Sequence, residues 1–239
     1  MTVTRIPLPA INKAIREVCF ALEGKCHHSP SWSRMTEDNL WRELVACILG
    51  SRVRFEAAHS ALERMERRRL FSESRRSTCF QKYEQDVMEA LSEPETPDEP
   101  NRYPFFRVRS NQIRKAAERL YENGDTLRSF LEGSRDIREA RRRLSLEVSG
   151  LGPKQASLFL RNIGYTAHVA VLDIHVLTYM NWVGLTEAPI KSVSTVRKYE
   201  ALEDAFIEHA YSFGYPPDHF DLAVWVVMRV AKEEQKTWE

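Results

Sequence analysis

Residues 144–180 read LSLEVSGLGPKQASLFLRNIGYTAHVAVLDIHVLTYM, and the middle of this stretch decides the architecture. Gly150 and Gly152 have no Cβ and tolerate positive φ, so the chain can turn tightly between two helices. Pro153 suits the first position of the second helix, where its missing N–H is of no consequence. That helix is expected over 153–163 and stops at Gly164, a residue suited to the position just past a helix end. Upstream, Ile137, Ala140, Leu144 and Val148 recur with helical spacing and predict a partner helix over 135–148. The local pattern is helix, glycine hairpin, helix.

A helix N-terminus with free amides beside a glycine turn binds anions, and a phosphate can approach main chain that carries no side-chain bulk. Lys154 places an amine at the same spot. Two readings fit these residues alone: a plain helix-helix turn with an exposed lysine, or a turn that grips a DNA backbone. Downstream, Val169-Ala170-Val171-Leu172 is an apolar run that should be buried, and Asp173 follows it directly. A carboxylate at the end of a buried run needs a partner. Asp173 can serve as the N-cap of the helix expected over 174–182, or cap it while also projecting toward Lys154.

With these residues in view, the stretch resembles the helix-hairpin-helix DNA glycosylases. Within them it is most similar to the archaeal and bacterial 8-oxoguanine DNA glycosylase group without an iron–sulfur cluster. Trp41 to Ser51 is similar to that group's first core helix and following turn, Tyr103 to Leu120 to its arginine-containing helix, and Phe220 to Trp225 to its last helix. The resemblance spans roughly residues 36 to 230. It implies an all-α fold of two helical lobes with the active site in the cleft between them. One lobe would span 36–164 and the other would join 1–35 to 165–239.

The resemblance also implies the chemistry. Lys154 would attack C1′ of a flipped nucleotide, and Asp173 would stabilise positive charge developing on the sugar. The Schiff base so formed would lose the 3′ phosphate by β-elimination. A free lysine has a pKa of about 10.4, and a helix N-terminus in a partly dry cleft favours the free amine. Flipping costs a few kcal/mol of unstacking, so a base pocket must compensate. Trp225 is the candidate stacking face and Asp221, one helical turn earlier, a candidate acceptor for a base edge; the plain alternative is a core tryptophan and a solvated aspartate. His175, with Gly150 and Gly152, is assigned to the DNA backbone. No cofactor is implied, and the partner is DNA with a modified base, bound by a monomer.

The chain departs from the family pattern in three places. Ser51, Arg52, Val53 and Arg54 occupy the turn after the first core helix, where small polar residues are expected. Arg52 and Arg54 would fill the gap left by a flipped base or read a different base. The chain reads Lys236-Thr237-Trp238-Glu239 where a terminal lysine near the pocket is expected, and about 35 N-terminal residues are unmatched. These departures favour, as an alternative, a glycosylase for a bulkier modified base, such as a modified cytosine in foreign (phage) DNA. A second alternative is a helix-hairpin-helix protein that binds DNA without cutting it. Pure backbone binding needs no lysine with a carboxylate beyond it.

The whole chain sets looser bounds. Its 239 residues are 43% hydrophobic and 29% charged, ordinary for a globular protein with a sizeable core. No apolar stretch approaches the roughly 20 residues of a membrane span, and no signal peptide is evident, so an intracellular, nucleoid-associated protein is expected. Net charge is only +1 and does not by itself point to nucleic acid. Basic residues instead cluster at 64–76, 102–115 and 135–143, and the last cluster, leading into the hairpin, is the best DNA candidate of the three. Cys19, Cys26, Cys47 and Cys79 are scattered, and Cys26-His27-His28 lacks a complete ligand set, so no metal is expected. Helices are expected near 10–23, 36–50, 53–69, 76–91, 110–122, 125–132, 135–148, 153–163, 174–182, 194–212 and 219–235. Ser92 to Pro104 reads as a loop, and Gly214-Tyr215-Pro216-Pro217 separates the last two helices.

Overall fold

Every regular element in the computed structural model is helical; it describes residues 6–23, 31–77, 79–94 and 102–237. Cys26, His27, His28, Trp238 and Glu239 lie outside the described residues. In chain order the helices are α1 (Leu8–Leu22), α2 (Glu37–Leu49), α3 (Phe55–Arg67), α4 (Glu73–Arg76), α5 (Phe80–Ser92), α6 (Phe106–Tyr121), α7 (Leu127–Glu132), α8 (Ile137–Glu147), α9 (Pro153–Asn162), α10 (Ile174–Trp182), α11 (Val196–Ser212) and α12 (Pro217–Thr237). A single 3₁₀ turn, Trp32–Arg34, precedes α2. None of the helices among the described residues is long and apolar enough to cross a membrane.

The all-helical expectation holds, with two local differences. The helix expected over 76–91 starts only at Phe80: Cys79 is extended at φ −152°, and a short unexpected helix, α4, ends at Arg76. The Arg76 side chain explains the break. It is buried, donates to Asp38 and to the Phe71 carbonyl, and lies over the Tyr121 ring, so it is tied to partners elsewhere in the fold. The second difference is that α6 starts at Phe106, before the expected residue 110.

The chain divides into two compact units, Pro30–Ile163 and Met1–Ser29 with Gly164–Glu239. In the unit Pro30–Ile163, α2 packs against α3, α6, α7 and α9. Leu40, Trp41, Leu44, Val45, Cys47, Ile48 and Leu49 of α2 are all buried. Thr36 caps α2 by accepting from the Asn39 amide at 3.2 Å, and Trp41 Nε1 donates to the Tyr83 hydroxyl at 3.0 Å. The Glu37 carboxylate meets the N-terminus of α7, accepting from the Leu127 amide at 2.6 Å and the Arg128 amide at 3.3 Å. An anion there satisfies amides that the helix cannot.

In the other unit α12 packs against α1, α10 and α11. Its core joins Ile11, Ile15 and Cys19 of α1 to Leu177, Phe206, Phe220, Val224 and Met228. The apolar run Val169–Leu172 is buried as expected, 0 to 7% exposed.

Several residues of the basic clusters are structural. Arg64 is buried and donates to the Ala90 carbonyl at 2.9 Å. Arg75 pairs with Asp86 at 3.0 Å. In the cluster before the hairpin, Arg141 is fully buried beside Ser157, Arg143 lies 4.1 Å over the Phe130 ring, and Arg135 pairs with Glu139 at 2.9 Å. Arg141 and Arg143 are therefore withdrawn from that cluster as DNA contacts, while Arg135 stays exposed. Arginine fits such sites because its fork of donors binds carbonyls and its plane stacks on rings.

Candidate active site

The hairpin between α8 and α9 uses its two glycines differently. Gly150 has φ +93°, and a Cβ there would lie 3.0 Å from Ile48 Cγ2 and 3.3 Å from Gln112. Conformation and space both require glycine. Gly152 is extended at φ −96°, ψ 179°, which any residue adopts, and a Cβ there would meet nothing within 4 Å. Positive φ at Gly152 is thus not used; the residue is exposed and leaves open space over the start of α9.

Pro153 takes the first position of α9 as expected, and no side chain caps that helix. The first amides of α9 are accordingly presented to an anion. Gln155 anchors the helix by donating from Nε2 to the Cys47 carbonyl of α2 at 2.6 Å. Lys154, between Pro153 and Gln155, is partly exposed and makes no hydrogen bond or ion pair among the described residues. Cys47 lies near enough to feel Lys154, Arg161 and Glu43, but burial pushes its thiol well above the usual value and keeps it neutral.

The turn after α2 sits against the hairpin. Arg52 has φ +65°, uncommon for a residue with a side chain, and both Arg52 and Arg54 are exposed. The Tyr103 hydroxyl donates to the Leu49 carbonyl at 2.6 Å. Arg109 donates from Nη2 to the Ser51 carbonyl at 2.8 Å and from Nη1 to Gln112 Oε1 at 2.7 Å. Gln112 is the residue that abuts Gly150, so α6 braces turn and hairpin together. Arg109 belongs by sequence to the basic cluster at 102–115. Its spacing with Ile113, Ala116, Ala117 and Leu120 carried the better signal, because it puts Arg109 on the buried face of α6.

In the other unit, Asp173 is the N-cap of α10. One oxygen, Oδ1, accepts from both the His175 amide at 2.8 Å and the Val176 amide at 2.9 Å. The cap therefore leaves Oδ2 outside it. His175 meets the Trp225 ring edge-on, centroids 6.3 Å apart. Trp225 is half-exposed rather than core, with the Arg229 guanidinium 5.2 Å from its centroid. Asp221 is 2% exposed and accepts from the Val171 amide through Oδ2 at 2.6 Å. This is a buried structural bond, not the solvated position the plain reading expects. Among the described residues no group of three or more His, Cys, Asp or Glu could hold a metal ion.

Residues 26–215 match the family model described as 8-oxoguanine DNA glycosylase. An 8-oxoguanine DNA glycosylase/AP lyase of Sulfurisphaera tokodaii is 32% identical over 160 residues, which cover 65% of this chain and 67% of the relative. The crystal structure of the 8-oxoguanine DNA glycosylase of Thermotoga maritima superposes with a TM-score of 0.69 at 22% identity, covering 92% of this chain and 96% of that one. The Methanocaldococcus jannaschii 8-oxoguanine glycosylase/lyase, solved with a 15mer DNA containing 8-oxoguanine, gives 0.68 at 20% identity, covering 90% and 95%. Both structures share the fold. Coverage of 92% reaches into residues 1–35, so part of the segment expected to be unmatched has a counterpart.

Proposed function

Because the chain belongs to the 8-oxoguanine DNA glycosylase family, we propose that it excises 8-oxoguanine from DNA and then cleaves the strand as an AP lyase, using Lys154 as nucleophile. The observation that carries this reading is the setting of Lys154: one residue into an uncapped helix, behind an open glycine, with its amine engaged by no partner among the described residues. A lysine held in a structural ion pair would not be available for attack.

In this reading the DNA phosphate sits at the α9 N-terminus over Gly152, with Gly150 shaping the turn and His175 as a second backbone contact. The Lys154 amine adds to C1′ as the bond from C1′ to the base nitrogen breaks, and the base leaves with the bonding pair and takes up a proton. Asp173 stabilises the positive charge that builds on the sugar through the oxygen its cap does not use. Ring opening gives the Schiff base. Loss of a C2′ proton then expels the 3′ phosphate. Electrostatic support of this kind is worth about 10²–10³ in rate. The half-buried Trp225 ring supplies the stacking face for the flipped base; Asp221, one turn before it, is committed to the Val171 amide and is not left to meet the base edge. The protein acts as a monomer on DNA inside the cell.

A second reading of the substrate rests on the turn after α2. Two exposed arginines, one at positive φ, offer more bulk and charge than reading a guanine lesion needs. They favour a different modified base, such as a modified cytosine in foreign DNA. Excision across duplex and single-stranded substrates carrying 8-oxoguanine or modified cytosines decides between the two. Release of 8-oxoguanine is expected. Silence on it with release of another base would move the assignment to the second reading, and silence throughout would leave a DNA-binding protein.

A further inference from the structure

Val169 to Leu172 are buried but form no helix, and no strand lies beside them among the described residues. Buried amides in such a run need partners from elsewhere. Three consecutive amides find them on side chains. Glu203 Oε1 accepts from the Ala170 amide at 3.1 Å, Asp221 Oδ2 from the Val171 amide at 2.6 Å, and the Tyr199 hydroxyl from the Leu172 amide at 3.0 Å. The same Tyr199 hydroxyl donates to the Ala170 carbonyl at 2.7 Å. The next amide, that of Asp173, donates to the Val171 carbonyl at 2.8 Å. Tyr199 and Glu203 stand four residues apart on one face of α11 and are 0% and 3% exposed.

Apolar packing alone does not call for this arrangement; the buried amides do. A buried carboxylate is costly, and it is offset here only because it satisfies an amide that would otherwise be buried and unpaired. What the two side chains deliver is a fixed backbone. Tyr199 pins both ends of the step from Ala170 to Leu172, and Glu203 holds Ala170 from a second point. Asp173 follows immediately, its own amide tied and its Oδ1 committed to the α10 cap. We propose that Tyr199 and Glu203 are positioning residues for the Asp173 carboxylate, fixing residues 170–172 so that the oxygen outside the cap keeps one direction. This rests on the reading of Asp173 as the carboxylate that faces the sugar.

The test compares single-turnover excision of 8-oxoguanine with borohydride trapping on a preformed abasic site, which needs Lys154 but no base release. Tyr199→Phe should lower excision about 10- to 100-fold, the scale of a small misplacement of a reacting group, while trapping and DNA affinity persist. Glu203→Ala should behave likewise, and Glu203→Gln, which keeps an acceptor, should recover most of the rate. In an Asp173→Asn background Tyr199→Phe should cost nothing further, since both act through one group. Equal losses in excision and trapping, full additivity with Asp173→Asn, or wild-type excision by Tyr199→Phe would each overturn the proposal. If Tyr199→Phe does not fold, the Glu203→Ala and Glu203→Gln pair carries the same comparison. Wild-type excision by Asp173→Asn itself would instead sink the role of Asp173.

Discussion

The two hairpin glycines make separable demands. Gly150→Ala puts a side chain at φ +93° and pushes its Cβ against Ile48 and Gln112. It should cost about 1–3 kcal/mol of stability, read as a lowered denaturation midpoint. Gly152→Ala meets open space in an ordinary conformation, so stability should stay within about 0.5 kcal/mol. Its effect should appear in DNA affinity instead, because the added methyl stands where the phosphate would approach. Equal stability losses in both variants would contradict this division. Asp173→Asn should slow base release about 10²–10³-fold with DNA binding intact, measured in single turnover. These predictions also show where the sequence was informative. Pro153 and the Asp173 cap follow from local rules about helix ends, which need only neighbouring residues, whereas the role of Lys154 rests on the resemblance. The need for Gly150 was only half legible, since its contact with Gln112 depends on a helix far away in the chain.

Among the elements, α7 depends on a charge it does not carry. Its first amides rest on Glu37 of α2, 90 residues upstream for Leu127, and the Tyr121 hydroxyl donates to the same carboxylate at 2.9 Å. Glu37→Ala removes all three acceptor bonds and should destabilise the fold by about 1–3 kcal/mol in thermal or denaturant melts. A change below about 0.5 kcal/mol would mean that water replaces them. Apolar periodicity located the helices well because each buries one face, and that pattern is written locally. It started α5 too early, at residue 76, because the partners that hold Arg76 include Asp38 and Tyr121, far away in the chain. The clamp on residues 170–172 escaped notice for the same reason. A glutamate at 203 bonding an amide at 170 leaves no mark on either neighbourhood.

For the whole molecule, charge and acid response follow from how basic residues and histidines are spent. Arg64, Arg76, Arg109, Arg141 and Arg143 hold carbonyls, a carboxylate, a hydroxyl or a ring, so these five are already engaged within the fold. DNA affinity should fall with salt at a log–log slope of about −0.9 per phosphate contacted. A slope corresponding to every arginine in the three basic clusters would contradict the structural assignment of these residues. His209 gives a separate handle. Burial holds its imidazole below the ordinary value of about 6.5, beside the Tyr179 hydroxyl at 2.9 Å. The unfolded chain binds that proton at a higher pH than the folded one does. For this group stability is therefore level above about pH 6.5 and declines as pH falls toward the folded value. The melting temperature of His209→Phe should drop less between pH 7 and pH 5 than that of the wild type.

The claim on which the rest depends is that the Lys154 amine becomes bonded to the sugar. Borohydride reduction of the reacting complex with an 8-oxoguanine duplex, followed by protease digestion and mass spectrometry, identifies the residue carrying the adduct. One adduct is expected, on the peptide containing Lys154, and none in Lys154→Ala. An adduct on another lysine or the N-terminal amine, or base release with no trapped species at all, would contradict it.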